Sequence, residues 1–370
     1  CSAAAAEHRA RSAALLEGLV AAYPDDSELL RDMAIEEQSW GIRERDTGQY
    51  DAARAHLARA LELFQRRLRD APRHVQARLD VALSEYNNAA LEQATLPPEQ
   101  RLERLNRARS MVEAILAEHP GRADAADLLA SVHDFLGNTH AAMRRSGEAL
   151  RSYEESLRLR RKLAAADPGD FRAQRALHVS LGKLSDTRVA LADAEPDRKD
   201  AHLQAALEAC REARTIAGAL YAREPDNLEA LACAAVGCDN LGDVHFALGN
   251  LVEAERSYRE MLEFEERHLT RDPQRLSARF NRMVGIYKLG LCLGTEAEQL
   301  AGTPEAAAKW RAAREQFLRS RELAAALPEE HAGSALAELN AKLATCDEAL
   351  RAAASQPASA SAPAAGNGPR

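Results

Sequence analysis

The side chains best equipped for chemistry in this sequence are eleven histidines and six cysteines, and their spacing argues against a reaction centre. No histidine stands in a His-Glu-x-x-His arrangement or another metal-ligand spacing. His133 and His140 are seven residues apart and could share one helix face, but His140 and His245 fall at matching places in a repeat described below, which predicts a structural role. The cysteines are Cys1, Cys210, Cys233, Cys238, Cys292 and Cys346, with no Cys-x-x-Cys among them. Buried thiols are the expectation for five of them. A bridge between Cys210 and Cys233 stays open and would need an oxidising compartment. No nucleophile-elbow motif supports a Ser–His–Asp arrangement. The sequence therefore predicts no enzyme, no cofactor and no metal.

Any function must then lie in a surface, and composition says which elements build it. Of 370 residues, 46% are apolar but only 4% aromatic. A sheet normally wants more β-branched and aromatic side chains, whereas Ala, Leu, Glu, Gln and Arg are the best helix formers. No apolar run approaches the roughly 18 residues of a membrane span. A net charge of −8 argues against general nucleic-acid binding, which needs a basic face to displace counterions.

Prolines set the period. Pro24, Pro72, Pro120 and Pro168 are each 48 residues apart; Pro225 follows after 57, Pro273 after 48 and Pro328 after 55. Seventeen residues after each of the first six stands a small residue: Gly41, Ala89, Gly137, Ser185, Gly242 and Gly290. Proline marks a helix boundary because it removes a hydrogen bond and clashes with the preceding turn. A second break, Thr47-Gly48 or Gly249-Asn250, divides each period into two apolar-periodic stretches. Pro97-Pro98 serve the same break in the second period, since proline fits the first turn of a helix. Each unit reads as a helical hairpin that can bury its apolar faces only by stacking on the next.

The pattern resembles the tetratricopeptide repeat (TPR) family. Leu136-Gly137, Ala149, Tyr153 and Leu157 carry it in one repeat, Leu241-Gly242, Gly249, Ala254 and Tyr258 in another, and Trp40-Gly41, Gly48, Ala53, Leu57 and Ala60 in a third. The resemblance implies an all-α fold, an α-solenoid of about six TPR-like helical hairpins with capping helices at both ends. The expected organisation is an N-terminal anchor or capping helix in 1–24, repeats at 25–72, 73–120, 121–168, 169–225, 226–273 and 274–328, a capping helix in 329–354 and a disordered tail in 355–370. The period is longer than the family's, and the early Trp is replaced by Glu37, His133 and Cys238. Arg101 and Lys309 stand where a small residue should open the second helix, which predicts looser packing or a shifted register in repeats two and six. The stretch from Tyr153 to Asp170, followed by Leu184-Ser185-Asp186, also resembles long TPR arrays attached to bacterial serine/threonine kinases. The chain itself has no Gly-rich nucleotide loop, His-Arg-Asp or Asp-Phe-Gly.

In TPR proteins the first helices line a concave groove for a partner segment, and the resemblance points to Gln38, Arg45, Tyr86, Asn87, Asp134, Asn138, Lys183, Asp186, Asp239, Asn240, Asp243 and Tyr287. Asn87 and Asn240 share a repeat position, and an amide can donate to and accept from a peptide backbone at once. Tyr86 and Tyr287 offer flat apolar anchors with a polar tip. A Lys/Asn carboxylate clamp is absent, because its leading positions hold Gln38, Tyr86, Asp134, Gly182, Asp239 and Tyr287. The aspartates predict a neutral to basic protein or peptide partner and no nucleic acid. The expected function is a non-catalytic interaction scaffold, with a sensory region of a kinase signalling protein as the alternative.

The start, Cys1-Ser2-Ala3, resembles a mature bacterial lipoprotein whose first Cys carries the lipid anchor. That predicts attachment to the cell envelope through Cys1; the alternatives are a cytoplasmic protein or a piece cut from a larger membrane protein.

Overall fold

The computed structural model describes residues 3–91 and 96–355. Cys1 and almost all of the predicted tail in 355–370 lie outside the described residues. Among the described residues the secondary structure is helical: α1 (Ala3–Ala22), α2 (Ser27–Asp46), α3 (Tyr50–Asp70), α4 (Val75–Leu91), α5 (Pro98–Glu118), α6 (Ala123–Ala142), α7 (Ser146–Ala166), α8 (Phe171–Ala194), α9 (Lys199–Arg223), α10 (Leu228–Ala247), α11 (Leu251–Arg271), α12 (Leu276–Gln299), α13 (Pro304–Ala325) and α14 (Glu329–Ser355). The chain divides into two compact units, 1–199 and 200–370. The boundary falls within the fourth period, between α8 and α9.

In the first unit each helix from α1 to α8 packs on its neighbours in sequence. The second unit continues this pattern from α10 through α14, and α9 meets α11 through an edge-to-face Tyr221–Phe264 pair at 5.4 Å. Each unit is therefore a stack of helical hairpins, the all-α solenoid arrangement.

The grid prolines sit in the turns that enter each hairpin, and capping side chains finish the job. Asp26 accepts from the backbone N–H groups of Glu28 and Leu29, Asp170 from Arg172, and Asn227 from Glu229 and Ala230. These bonds satisfy donors that the first turn of a helix leaves without partners. Arginines from the second helix tie the same turns: Arg66 donates to the Pro24 carbonyl at 2.8 Å and Arg271 to that of Pro225 at 2.6 Å.

Within a hairpin, the small residue on the first helix receives an aromatic or leucine from the second. A Cβ at Gly137 would lie 2.5 Å from Tyr153 Cε1, and one at Gly242 would lie 2.5 Å from Tyr258 Cε1. The ring lies flat against bare backbone, and no larger residue leaves room for it. In the sixth period this partner comes from Phe317, not from a residue sixteen positions on, with a Gly290 Cβ 2.6 Å away from its Cε1. The extended α12 and the turn at 300–303 push the second helix downstream, so Ala313, fully buried, takes the small position and Lys309 instead pairs with Glu296. The register shift expected for this repeat is thus present, and its cause is the insertion, not the lysine. Arg101 does occupy the small position of the second period and is buried there.

Cys210 and Cys233 are both buried.

Candidate functional site

In the first unit, the first helices α2, α4 and α6 share one face, and Tyr86 stands at its middle. The Tyr86 ring meets Phe135 of α6 edge to face at 5.9 Å. A hollow of about 610 Å³ opens on one side, lined by Arg45, Asp46, Tyr50, Tyr86, Leu91 and Phe135. A second, of about 460 Å³, opens on the other, with Tyr86, Ile35, Gln38, Leu83, Leu128 and Ser131 among its walls. Tyr86 belongs to both. Burial and the nearby Asp134 push its hydroxyl above the ordinary tyrosine range, so it stays a neutral donor.

The polar groups on this face differ in how far they are already committed. Arg31 donates to Asp80 at 3.0 Å, and Asp80 also takes a bond from buried Arg67 at 3.0 Å. Arg45 pairs with its neighbour Asp46 at 2.7 Å. Gln38 is different: its Oε1 is buried and accepts no hydrogen bond among the described residues. A buried acceptor without a donor costs about 1–3 kcal/mol, and a peptide N–H would relieve that.

Gln38, Arg45 and Tyr86 therefore line the paired hollows, while the other predicted residues are placed otherwise. Asn87 is only 6% exposed, and its neighbour Asn88 is spent on the carbonyls of Leu57 and Ser84. Asn240 is half-buried and Asp186 exposed. Tyr287 donates to Glu338 of α14 and leans on Phe317 at 5.7 Å, so the last helix engages it.

The remaining residues form two equivalent clusters, one in each unit. In the first, Asn138 accepts from the Tyr153 hydroxyl at 2.7 Å, Lys183 lies 3.9 Å from Asp134, and its ammonium stands 6.0 Å above the Tyr153 ring. In the second, Asp243 accepts from Tyr258 at 2.8 Å, while Lys288 donates to Asp239 at 2.6 Å and Asp243 at 2.8 Å, 5.5 Å above the Tyr258 ring. Every member of the second lies 105 residues after its counterpart. Burial raises the Asp134 and Asp239 carboxyls despite their lysines. Burial works against charge on Lys288, but Asp239 and Asp243 outweigh it and hold the ammonium above its usual range. Both clusters join successive first helices; the second is satisfied internally, whereas in the first Asp134 Oδ1 is buried and accepts no hydrogen bond among the described residues.

Phe135, Tyr50 and Ile35 belong to the face and are missed by sequence reasoning. Phe135 occupies the same period position as Asn87 and Asn240, so the repeat grid contained the signal. His133 is buried, and burial lowers its basicity and that of half-buried His140 and His245.

Comparison with known proteins agrees with this architecture. Residues 129–168 match the family model of the tetratricopeptide repeat. No curated protein matches the sequence significantly. Among solved structures, BtubC (BKLC) from P. vanneervenii is similar at 16% identity and a TM-score of 0.52, over 75% of this chain and 91% of that one. Aspartyl phosphate phosphatase F from Bacillus subtilis is similar at 11% identity and a TM-score of 0.51, over 90% of this chain and 74% of that one. Nro1, described as a hypoxic regulator of sterol synthesis and nuclear import adaptor, is similar at 12% identity and a TM-score of 0.50, over 87% and 94%. At these identities the likeness is one of fold. The chain is a helical-repeat protein with a tetratricopeptide repeat at residues 129–168, and the packing of small residue against ring or leucine recurs in the hairpins α2/α3, α10/α11 and α12/α13.

Proposed function

We propose that the chain is a protein-interaction scaffold and that the α2/α4/α6 face of its first unit receives a segment of a partner protein. One observation carries this reading: two hollows meet at a single half-buried tyrosine, flanked by apolar walls and an acceptor on Gln38 that the fold does not satisfy. Aromatic anchors of this kind supply large contact area at small entropic cost, and their hydroxyl fixes orientation. Asp46, Asp124 and Asp127 border the hollows, but each already pairs with an arginine, Arg45, Arg122 and Arg160, so the apolar walls and Tyr86 carry the recognition.

A photo-crosslinking residue at position 86, compared with one at exposed Arg59 on α3, tests the reading in the native host. The expected result is a discrete product from position 86 that is absent from position 59 and lost when Ile35→Asp is added. Identical products from both positions would overturn it.

A further inference from the structure

We propose that the hollow between α1, α2 and α3 is a binding site for a small alkylammonium group. It stands apart from the Tyr86 face: α2 gives Ile35 and Gln38 to that face, and Met33, Glu36, Glu37 and Trp40 to this hollow.

The cavity is about 190 Å³. That is below the usual size of a drug-sized site, with room for a trimethylammonium head and a short arm. Leu16 of α1 and Met33 of α2 make its apolar floor, and Trp40 and His56 make an aromatic wall. The two rings stack at 6.0 Å with planes 24° apart. The His56 ring is held in place by Glu37, whose Oε2 lies 2.6 Å from Nδ1, and by Glu44, 3.6 Å from Nε2. The wall is thus fixed before any ligand arrives, which lowers the ordering cost of binding.

Charge then selects the ligand. Glu17 and Glu36 border the hollow beside Glu37, which His56 already engages, and among the described residues no lysine or arginine does. Elsewhere in the first unit Asp80 meets Arg31 and Arg67, and Glu85 meets Arg104, across neighbouring helices. Among the described residues Glu17 and Glu36 have no ion-pair partner. An anion is repelled here, and a neutral ligand gains only the apolar floor. A cation with a greasy surface gains the carboxylates and the Trp40 indole that lines the hollow together, and tryptophan is the strongest aromatic partner for such a cation.

The two tryptophans, Trp40 and Trp310, give the test a built-in control. Their indole N–H resonances are followed in the unmodified chain by proton–nitrogen correlation spectra, assigned with Trp310→Phe, during titration with choline. A parallel titration uses choline's uncharged carbon analogue, in which a tert-butyl group replaces the trimethylammonium. The expected result is a saturable shift of Trp40 alone, with the uncharged analogue weaker by roughly tenfold or more. Glu36→Gln should weaken choline severalfold and leave the uncharged analogue unaffected. Equal response to both compounds, parallel linear drift of both indoles, or no shift of Trp40 overturns the proposal. A peptide carrying trimethyllysine, run as a third arm, distinguishes the sources: tighter binding than choline marks a modified side chain, weaker binding a free small molecule.

Discussion

Lys288 reaches back one hairpin to Asp239, its ammonium 2.6 Å from Oδ1, and in doing so reproduces the relation of Lys183 to Asp134 in the first unit. The two pairs are not equally tight. Lys288 also holds Asp243, whereas the corresponding residue beside Lys183 is the neutral Asn138. Lys288→Met therefore strands two half-buried carboxylates and should cost about 2 kcal/mol or more. Lys183→Met removes a contact at 3.9 Å from a side chain that is 30% exposed, and should cost less than about 1 kcal/mol. Urea unfolding of the two variants checks the ranking, and equal losses would remove the distinction.

Arg144 adopts a left-handed conformation, with φ of 57°, at the place where Gly48 and Gly249 sit at 78° and 75°. An L side chain pays about 1 kcal/mol there that glycine does not. Arg144→Gly should raise stability by about that amount, read as a higher urea midpoint at unchanged slope. A loss of stability would show that the arginine side chain contributes more than its backbone costs.

Glu265 gives the second unit a pH dependence. It is 1% exposed on α11; Asn281 of α12 donates to it at 2.8 Å, His268 Nδ1 lies 3.9 Å away, and Asp239 of α10 repels its charge. Burial pushes its carboxyl up to about 7, while burial lowers the basicity of the neighbouring His268. The folded value lies above the unfolded one, so this group's contribution is full below pH ~4.5 and is lost as pH rises to about 7. The loss is roughly 3 kcal/mol at pH 8. Thermal melts between pH 5 and 8 should fall with pH, and Glu265→Gln should flatten that part of the slope. An unchanged slope in the variant would mean that another group carries it.

Three buried thiols should be inert in the native state. Burial pushes Cys238 and Cys346 up to about 11 and Cys292 up to about 12. The thiolate is the nucleophile, so labelling at neutral pH should be more than about a hundredfold slower than for an ordinary exposed thiol. Site-resolved mass spectrometry of iodoacetamide-treated protein checks this, with modification expected to track unfolding.

The fold was largely legible because proline and glycine act locally. Pro168 ends a helix whatever surrounds it, and Gly137 has to accept a ring sixteen residues on because the hairpin turn fixes that distance. The face was harder. Tyr86 could be read from its repeat position, but Phe135 beside it holds the same position as Asn87, and only the packed helices show that an aromatic there completes a hollow. Tyr287 shares the place of Tyr86 in its own repeat, yet Glu338, fifty-one residues later, engages it. Such a contact depends on where α14 lies, and no local pattern encodes that. The sixth repeat shows the same limit: Lys309 breaks the pattern on paper, while an insertion upstream moves the true small position to Ala313.

The matched clusters also bear on how this chain can be edited. Asp134 and Lys183 meet across one seam, Asp239 and Lys288 across another, with the same offset along the chain. A hairpin lifted from 121–168 carries half of such a seam, and the hairpin at 226–273 carries the equivalent half. The two segments thus carry the same half-seam: a chimera that swaps them is expected to present an aspartate to each waiting lysine and a tyrosine ring under each ammonium, with Lys288 facing Asn138 in place of Asp243.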